Sequence, residues 1–237
     1  RGNHDSAERL SFGAKLFESS DIYISQVYDG NVKKIGLEDE YGLVNVYLLP
    51  FLKPATVRHV LQRDDIESYE DGVMDASQRN ILVAHQFVTG ADRCDSEETS
   101  VGGLDNVSAE VFDKFDYVAL GHIHRPQKMG RETLRYSGTP LKYSFSEVDH
   151  KKSVTIVELL EKGNVQINTV PLVPMRDMRK VRGTYMEVTA KERYTAENKM
   201  DYLQITLTDE EDVPGALQKL RTIYPNLMRL EYDNKRT

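Results

Sequence analysis

The sequence predicts an α/β protein of the α+β kind, with a β-sandwich core flanked by helices and a small accessory domain. Two short apolar runs, at 80–84 and 117–120, each end directly before a histidine, which is typical of buried strands with ligands at their carboxyl ends. Strand-like stretches dominate the middle of the chain. The last part alternates strand and helix over about 60 residues, near the lower limit for a stable domain.

The chain opens with turn residues and then a predicted helix from Ser6 to Ser19. Asp5 is a plausible N-cap, and Glu8 stands three positions later, as in a capping box. Apolar residues follow at helical spacing, namely Leu10, Ala14, Leu16 and Phe17. This pattern indicates an amphipathic helix.

The central region reads mainly as strands. The predicted strands before the accessory domain are 22–27, 32–37, 43–49, 80–85, 117–122, 134–136, 154–159 and 165–170. The charged stretch 55–78 predicts one or two helices, and the polar stretch 90–105 predicts a loop. The strands at 80–85 and 117–122 are expected to be fully buried, each with a histidine at its carboxyl end.

The stretch from Pro171 to Pro174 indicates a domain boundary. Beyond it we expect a strand at 184–188, a strand at 202–207, a helix at 213–223 and a strand at 227–232. The chain therefore divides into a domain of residues 1–174 and a smaller one of residues 175–237.

Composition favours a cytoplasmic protein. The 237 residues contain no long uncharged apolar run and no signal-peptide pattern, and the single cysteine, Cys94, cannot form an internal disulfide. Cys94 lies among carboxylates, so we interpret it as incidental. The formal net charge of −7 counts against a free-standing nucleic-acid binder. Bound divalent cations or a partner subunit would offset that charge.

Three short motifs carry candidate chemistry. They are Gly2-Asn3-His4-Asp5, Val83-Ala84-His85-Gln86 and Gly121-His122-Ile123-His124. Each motif alone is weak, because isolated histidines are usually ordinary polar residues. Together they place four of the six histidines in glycine turns or at strand ends. Imidazole and amide ligands suit manganese, iron or zinc. His59 and His150 have no such context and are interpreted as surface residues.

The order GNHD, H, GHIH resembles the calcineurin-like metallophosphoesterase superfamily. Two further stretches, GNHDSAERLSFG and YSGTPLKYSFSE, are similar to the SbcD nucleases in particular. The resemblance covers essentially the whole chain. It implies a metallophosphoesterase (nuclease) domain over 1–174 and a capping domain over 175–237.

The resemblance also implies residue roles. Asn3, His85 and His122 would bind one divalent metal ion, and His124 would bind the other, with manganese as the expected metal. His4 would contact the scissile phosphate and protonate the leaving oxygen, a role that suits the pKa range of histidine. The family's upstream Asp-X-His and Gly-Asp motifs do not occur in this sequence, which predicts an N-terminally incomplete and inactive fragment of a longer nuclease.

Partners follow from the same resemblance. It implies an ATP-dependent exonuclease and endonuclease for double-stranded DNA in repair, recombination and replication, working with an SbcC-like ATPase that uses the ATP. A homodimer would form through nuclease-domain helices, with Leu10, Leu16 and Phe17 as candidate seam residues, although Leu10 fits a sheet-covering role better. No membrane partner is expected. The candidate DNA contacts are Arg176, Arg179 and Lys180, although a charge run is more often a solvated face.

Two alternatives stay open at this point. The superfamily motifs alone permit a phosphoesterase that acts on nucleotides or phosphoproteins, and the acidic charge mildly favours it. The chain could also be a non-catalytic scaffold that docks SbcC and orders DNA. The SbcD-like stretches argue against the first alternative.

Overall fold

The computed structural model describes residues 2–6, 9–10, 14–25, 27–52, 75–97 and 106–234. The chain divides into two compact units, one formed by 1–140 with 151–171 and one formed by 141–150 with 172–237. The predicted boundary at Pro171–Pro174 falls close to the later break. The segment 141–150, which the sequence assigned to the larger domain, clusters with the smaller unit.

The larger unit is built mainly from strands. Its helical segments are α1 (Ala14–Glu18) and a short 3-10 turn, Ala109–Phe112. Its strands are β1 (Lys33–Asp39), β2 (Gly42–Leu49), β3 (Arg79–His85), β4 (Phe87–Val88), β5 (Asn106–Val107), β6 (Tyr117–Gly121), β7 (Gln127–Met129), β8 (Arg131–Tyr136), β9 (Ser153–Leu159) and β10 (Val165–Pro171). The mixed α/β composition with several sheets agrees with the predicted class.

The principal sheet has six strands in the order β1-β2-β3-β6-β8-β7. The four central strands are parallel, and each edge is closed by an antiparallel partner. The β1–β2 turn passes through Gly42, whose φ of 94° is a conformation that glycine adopts without strain. Because parallel strands share one carboxyl edge, the residues that follow β3 and β6 lie side by side.

The core of this unit packs against one face of the sheet. It includes Leu82, Ala84, Val118 and Leu120 from β3 and β6, and the large side chains Phe112, Ile123 and Tyr136 are almost fully buried. Burial of a side chain of this size stabilises the fold by about 1.5–3 kcal/mol. The prediction of a fully buried β3 is wrong on one face, since Val83 is 42% exposed among the described residues.

The N-terminal segment differs from its prediction at the cap. The Ser6 hydroxyl accepts from the Arg9 amide at 3.4 Å, and the Leu10 amide donates to the Ser6 carbonyl at 3.1 Å. Ser6 is therefore the N-cap. Asp5 closes the preceding turn, accepting from the Gly2 amide at 2.6 Å. Glu8 lies outside the described residues.

Other expectations meet mixed outcomes. The predicted strand at 22–27 is not formed in its described part, and the first strand begins only at Lys33. Residues 75–78 form a turn, whereas 53–74, which hold most of the predicted helical stretch and His59, lie outside the described residues. The antiparallel hairpin β9–β10 matches two predicted strands. Within the described parts of the chain, no helix has the length and apolarity needed to cross a bilayer.

The smaller unit contains a three-stranded parallel sheet with helices. Its elements are β11 (Met178–Gly183), α2 (Tyr185–Val188), α3 (Lys191–Ala196), β12 (Tyr202–Leu207), α4 (Ala216–Ile223) and β13 (Leu227–Tyr232), with the sheet order β11-β12-β13. The buried core residues include Leu203, Ile205, Leu220 and Tyr224. The predicted strands 202–207 and 227–232 are confirmed, and the predicted helix 213–223 begins only at Ala216.

The predicted strand at 184–188 is wrong, because these residues form α2. The Thr184 hydroxyl accepts from the Glu187 amide at 3.3 Å, and the Glu187 carboxylate accepts from the Thr184 amide at 2.7 Å. This reciprocal capping box satisfies two amides that a helix start leaves unpaired. Local capping therefore outweighs the strand preference of the β-branched Thr184 and Val188.

Candidate metal centre

The centre is organised around His85, the last residue of β3. In the β3–β6 register His85 lies opposite Gly121, the last residue of β6. Two glycines make room for its ring: a Cβ on Gly121 would lie 2.8 Å from Nδ1 of His85, and a Cβ on Gly2 would lie 2.9 Å from Cε1. Larger residues would displace the ring, so both glycines serve close approach.

Asn3 reaches the same ring from the N-terminal turn. Its Oδ1 lies 3.0 Å from Nε2 of His85. The turn is closed by Asp5, which holds the Gly2 amide. The local chemistry of Gly2-Asn3-His4-Asp5 thus brings an amide oxygen and an imidazole nitrogen together from positions 82 residues apart.

His122 stands beside His85 in a strained backbone conformation. Its φ is 102°, a region that residues with a Cβ seldom adopt. The His122 and His85 ring centroids are 5.3 Å apart, in an edge arrangement. Phe51 stacks on His122 at 5.8 Å and meets His85 edge-on at 6.0 Å, so one aromatic ring contacts both histidines. Such strain concentrates at functional sites.

The electrostatic setting keeps His85 neutral. Burial lowers the pKa of His85 from 6.5 to about 4, with a further lowering from the neighbouring His122. Desolvation disfavours the charged imidazolium, and a second histidine adds like charge when protonated. At neutral pH the ring therefore keeps a nitrogen lone pair, the form that binds metals.

His124 lies in a second group of side chains. Ser96 Oγ is 3.0 Å from its Nδ1, and the Glu97 carboxylate accepts from its backbone amide at 2.5 Å. Cys94 joins the group, since its Sγ lies 3.0 Å from Ser96 Oγ. Donor atoms of Cys94, Glu97 and His124 all lie within 4.8 Å of one another.

The loop that carries His124 is braced by Gly138, Thr139 and Lys152. The His124 carbonyl accepts from the Thr139 amide at 3.1 Å and from Lys152 Nζ at 2.9 Å. Gly138 lies so close that a Cβ there would be 2.7 Å from the same carbonyl, and its φ is +74°. The Gly138 turn therefore requires glycine.

A buried tyrosine supports the segment that follows His85. The Tyr136 hydroxyl donates to the Gln86 carbonyl at 2.7 Å and accepts from the Val88 amide at 2.8 Å. Tyr136 is fully buried, and burial raises the pKa of its hydroxyl, so the group stays protonated. The YSG stretch of the sequence thus acts as scaffold for both histidine-bearing loops.

The structure groups the predicted site residues unevenly. Asn3, His85 and His122 come together, His124 lies in the adjoining group with Ser96 and Glu97, and His4 is exposed. The donor set of one amide oxygen and neutral imidazoles fits a borderline divalent ion. Sequence reasoning missed four supporting residues, namely Phe51, Ser96, Glu97 and Tyr136. Only Tyr136 carried a signal, as part of the YSG stretch.

Other predicted residues fall elsewhere. The Arg179 guanidinium donates to Asp201 at 2.7 Å and to Glu197 at 2.6 Å, so it is held in an ion-pair network. Arg176 and Lys180 are exposed. His150 is not the surface residue that the sequence suggested: its side chain is 10% exposed, with Nδ1 3.9 Å from the buried Glu147 carboxylate.

Comparison with known proteins adds two findings. The SbcD_C family model, described as the type 5 capsule protein repressor C-terminal domain, matches residues 174–237. The SbcD subunit of the nuclease SbcCD from Staphylococcus epidermidis (strain ATCC 12228 / FDA PCI 1200) is 32% identical over 97% of this chain. The chain spans 63% of the length of that relative.

Proposed function

Because the chain is SbcD-like over nearly its whole length, we propose that it forms part of a nuclease that hydrolyses the phosphodiester bonds of double-stranded DNA with divalent metal ions. The observation that carries the proposal is the meeting of Asn3, His85 and His122 at the carboxyl edge of the parallel strands. Open α/β sheets commonly bind ligands at that edge.

In this proposal Asn3, His85 and His122 hold one metal ion and His124 takes part in holding a second. Divalent ions at such a site supply an activated water and offset the negative charge of the phosphate. The low pKa of His85 keeps its nitrogen available at neutral pH. Phe51 holds the His85 and His122 rings at a fixed mutual orientation through its contacts with both. Manganese is the metal that we propose.

His4 is the proposed general acid. It follows Asn3 in the same turn and is exposed, so a phosphate approaching the centre can contact it. His4 is also close enough for its charge to contribute to lowering the pKa of His85. A histidine at this position would protonate the departing sugar oxygen as the phosphodiester bond breaks.

The partners are proposed at the same level. Arg176 and Lys180, both exposed, are the better candidates for phosphate contact, since Arg179 is held by Asp201 and Glu197. An SbcC-like ATPase would gate access to DNA and use the ATP. A homodimer is supported by Leu16 and Phe17, which are 78% and 47% exposed on α1. We place the protein in the cytoplasm, acting in DNA repair, recombination and replication.

The first test is manganese-dependent cleavage of a linear duplex, together with metal content. It compares this chain with one extended upstream through an Asp-X-His and a Gly-Asp motif. We expect the extended chain to bind two ions and cut, and this chain to bind fewer and not cut. Failure of both to cut while both bind metal would overturn the DNA substrate. A small chromogenic phosphodiester, cut in place of the duplex, would favour a phosphoesterase for small substrates.

The second test is His4→Gln in the extended chain. We expect cleavage to be abolished while metal content stays at the wild-type level, because the substitution removes the acid without removing a ligand. Loss of metal together with activity would make His4 a ligand and contradict its proposed role.

A further inference from the structure

We propose that Ser96 and Glu97 are positioning residues for His124, fixing its ring and its backbone so that Nε2 faces the metal. The inference rests on the proposed function in one respect, the role of His124 as a metal ligand. It assigns work to a turn, Cys94–Glu97, that is remote in sequence from the histidine motifs.

Glu97 fixes the backbone. Its carboxylate is 7% exposed, and its two oxygens accept from two different amides: Oε1 from His124 at 2.5 Å, Oε2 from Cys94 at 3.0 Å. Hydrogen bonds from amides to a buried carboxylate are charge-assisted and stronger than neutral ones. Glu97 therefore ties its own turn to the loop after β6, across 27 residues.

Ser96 fixes the ring. Its Oγ lies 3.0 Å from Nδ1 of His124 and 3.0 Å from Sγ of Cys94. A serine hydroxyl can accept from an Nδ1–H and at the same time donate to sulfur. When Nδ1 carries the proton, Nε2 holds the lone pair that a metal needs. Metal-binding histidines almost always donate their second ring N–H in this way.

The His124 carbonyl is held as well. Thr139 and Lys152 both donate to it, so the amide, the carbonyl and one ring nitrogen of the same residue each have a defined partner. The ring of His124 is thus restrained from both ends of its backbone and from its own Nδ1. This degree of restraint is what a ligand needs if it is to lose little entropy on binding.

The same atoms allow a rival interpretation, in which Cys94, Glu97 and His124 are themselves the ligands of one ion. Both Glu97 oxygens already accept short hydrogen bonds from backbone amides, which weakens that interpretation. We therefore assign Glu97 to bracing. The rival makes the opposite prediction for Cys94, and the experiment uses that difference.

The experiment measures Zn²⁺ affinity and the tautomer of His124 by ¹⁵N NMR in the upstream-extended chain, with His124→Asn to identify the signal. For Ser96→Ala we expect a 10- to 100-fold loss of affinity, the usual cost of removing such a partner, about 1.4–2.8 kcal/mol. We also expect loss of the fixed Nδ1–H tautomer. Ser96→Thr, which restores a hydroxyl, should recover both, a rescue that a purely structural role does not predict.

Two matched variants complete the design. Glu97→Gln should also weaken Zn²⁺ binding, whereas Glu158→Gln, on the exposed side of β9, should not. Cys94→Ala should leave the affinity within about twofold. Wild-type affinity in Ser96→Ala, or a wild-type complex in which Nε2 of His124 stays uncoordinated, would overturn the proposal. A strong loss in Cys94→Ala would do the same in favour of the three-ligand site. Since none of these readouts requires DNA, failure of the nuclease proposal leaves them interpretable.

Discussion

Substitution of Tyr136 by phenylalanine tests how the scaffold behind the centre is held. The change keeps the ring and removes one buried hydroxyl, which bridges the Gln86 carbonyl and the Val88 amide. Both backbone groups lose a partner, and an unsatisfied buried group costs about 1–3 kcal/mol. We expect the free energy of unfolding to fall by about 2–4 kcal/mol, since local backbone shifts recover part of the combined cost.

The assay is equilibrium urea unfolding followed by far-UV circular dichroism, with the slope compared between variants. Tyr41→Phe is the matched control, because Tyr41 is 41% exposed, and such a surface change should stay within about 0.5 kcal/mol. A loss below 0.5 kcal/mol for Tyr136→Phe, at an unchanged slope, would refute the bridging role of the hydroxyl. A loss as large in Tyr41→Phe would show that the effect is not specific to burial.

Three further predictions concern the same unit. The lowered pKa of His85 (about 4 against 6.5) means that the unfolded state binds more protons between these values. The metal-free chain should therefore lose about 1–3 kcal/mol, allowing for solvent screening, as pH falls from 6.5 to 4, and His85→Asn should flatten that dependence in urea titrations. Gly121→Ala should weaken metal binding by displacing the His85 ring, whereas calorimetry should find no change for Gly36→Ala, where a Cβ meets its nearest atom at 3.5 Å. Arg79→Met should cost about 3–5 kcal/mol in thermal unfolding, because it leaves the Gly42 and Leu160 carbonyls without their buried donor, and a loss under 1 kcal/mol would contradict this.

The prediction from sequence was strongest where local pattern and tertiary role coincide. The strands that end at His85 and Gly121 were found because an apolar run followed by a histidine leaves few alternatives. Pairing of these two strands then follows from the topology of a parallel sheet. The meeting of Asn3 with His85 came only from the family resemblance, since no local pattern links residues 82 positions apart.

The errors have identifiable causes. The helix α2 was read as a strand because Thr184 and Val188 favour strands, although Thr184 and Glu187 form a capping box that the sequence displays. β11 was missed because its alternating charges resemble a solvated face, and it is an edge strand of its sheet. The partnership of Glu97 with His124 is a single long-range hydrogen bond, for which no sequence pattern exists.

The backbone of His122 has a consequence for how this protein tolerates change. At a φ of 102° a glycine is more comfortable than any residue with a side chain, and strain of this kind costs on the order of 1–3 kcal/mol. His122→Gly should therefore be among the few substitutions near the centre that raise thermal stability. A library of variants selected for heat resistance alone would drift toward glycine at this position. One selected for bound metal would keep histidine, so the two selections separate the demands of folding from those of chemistry at a single residue.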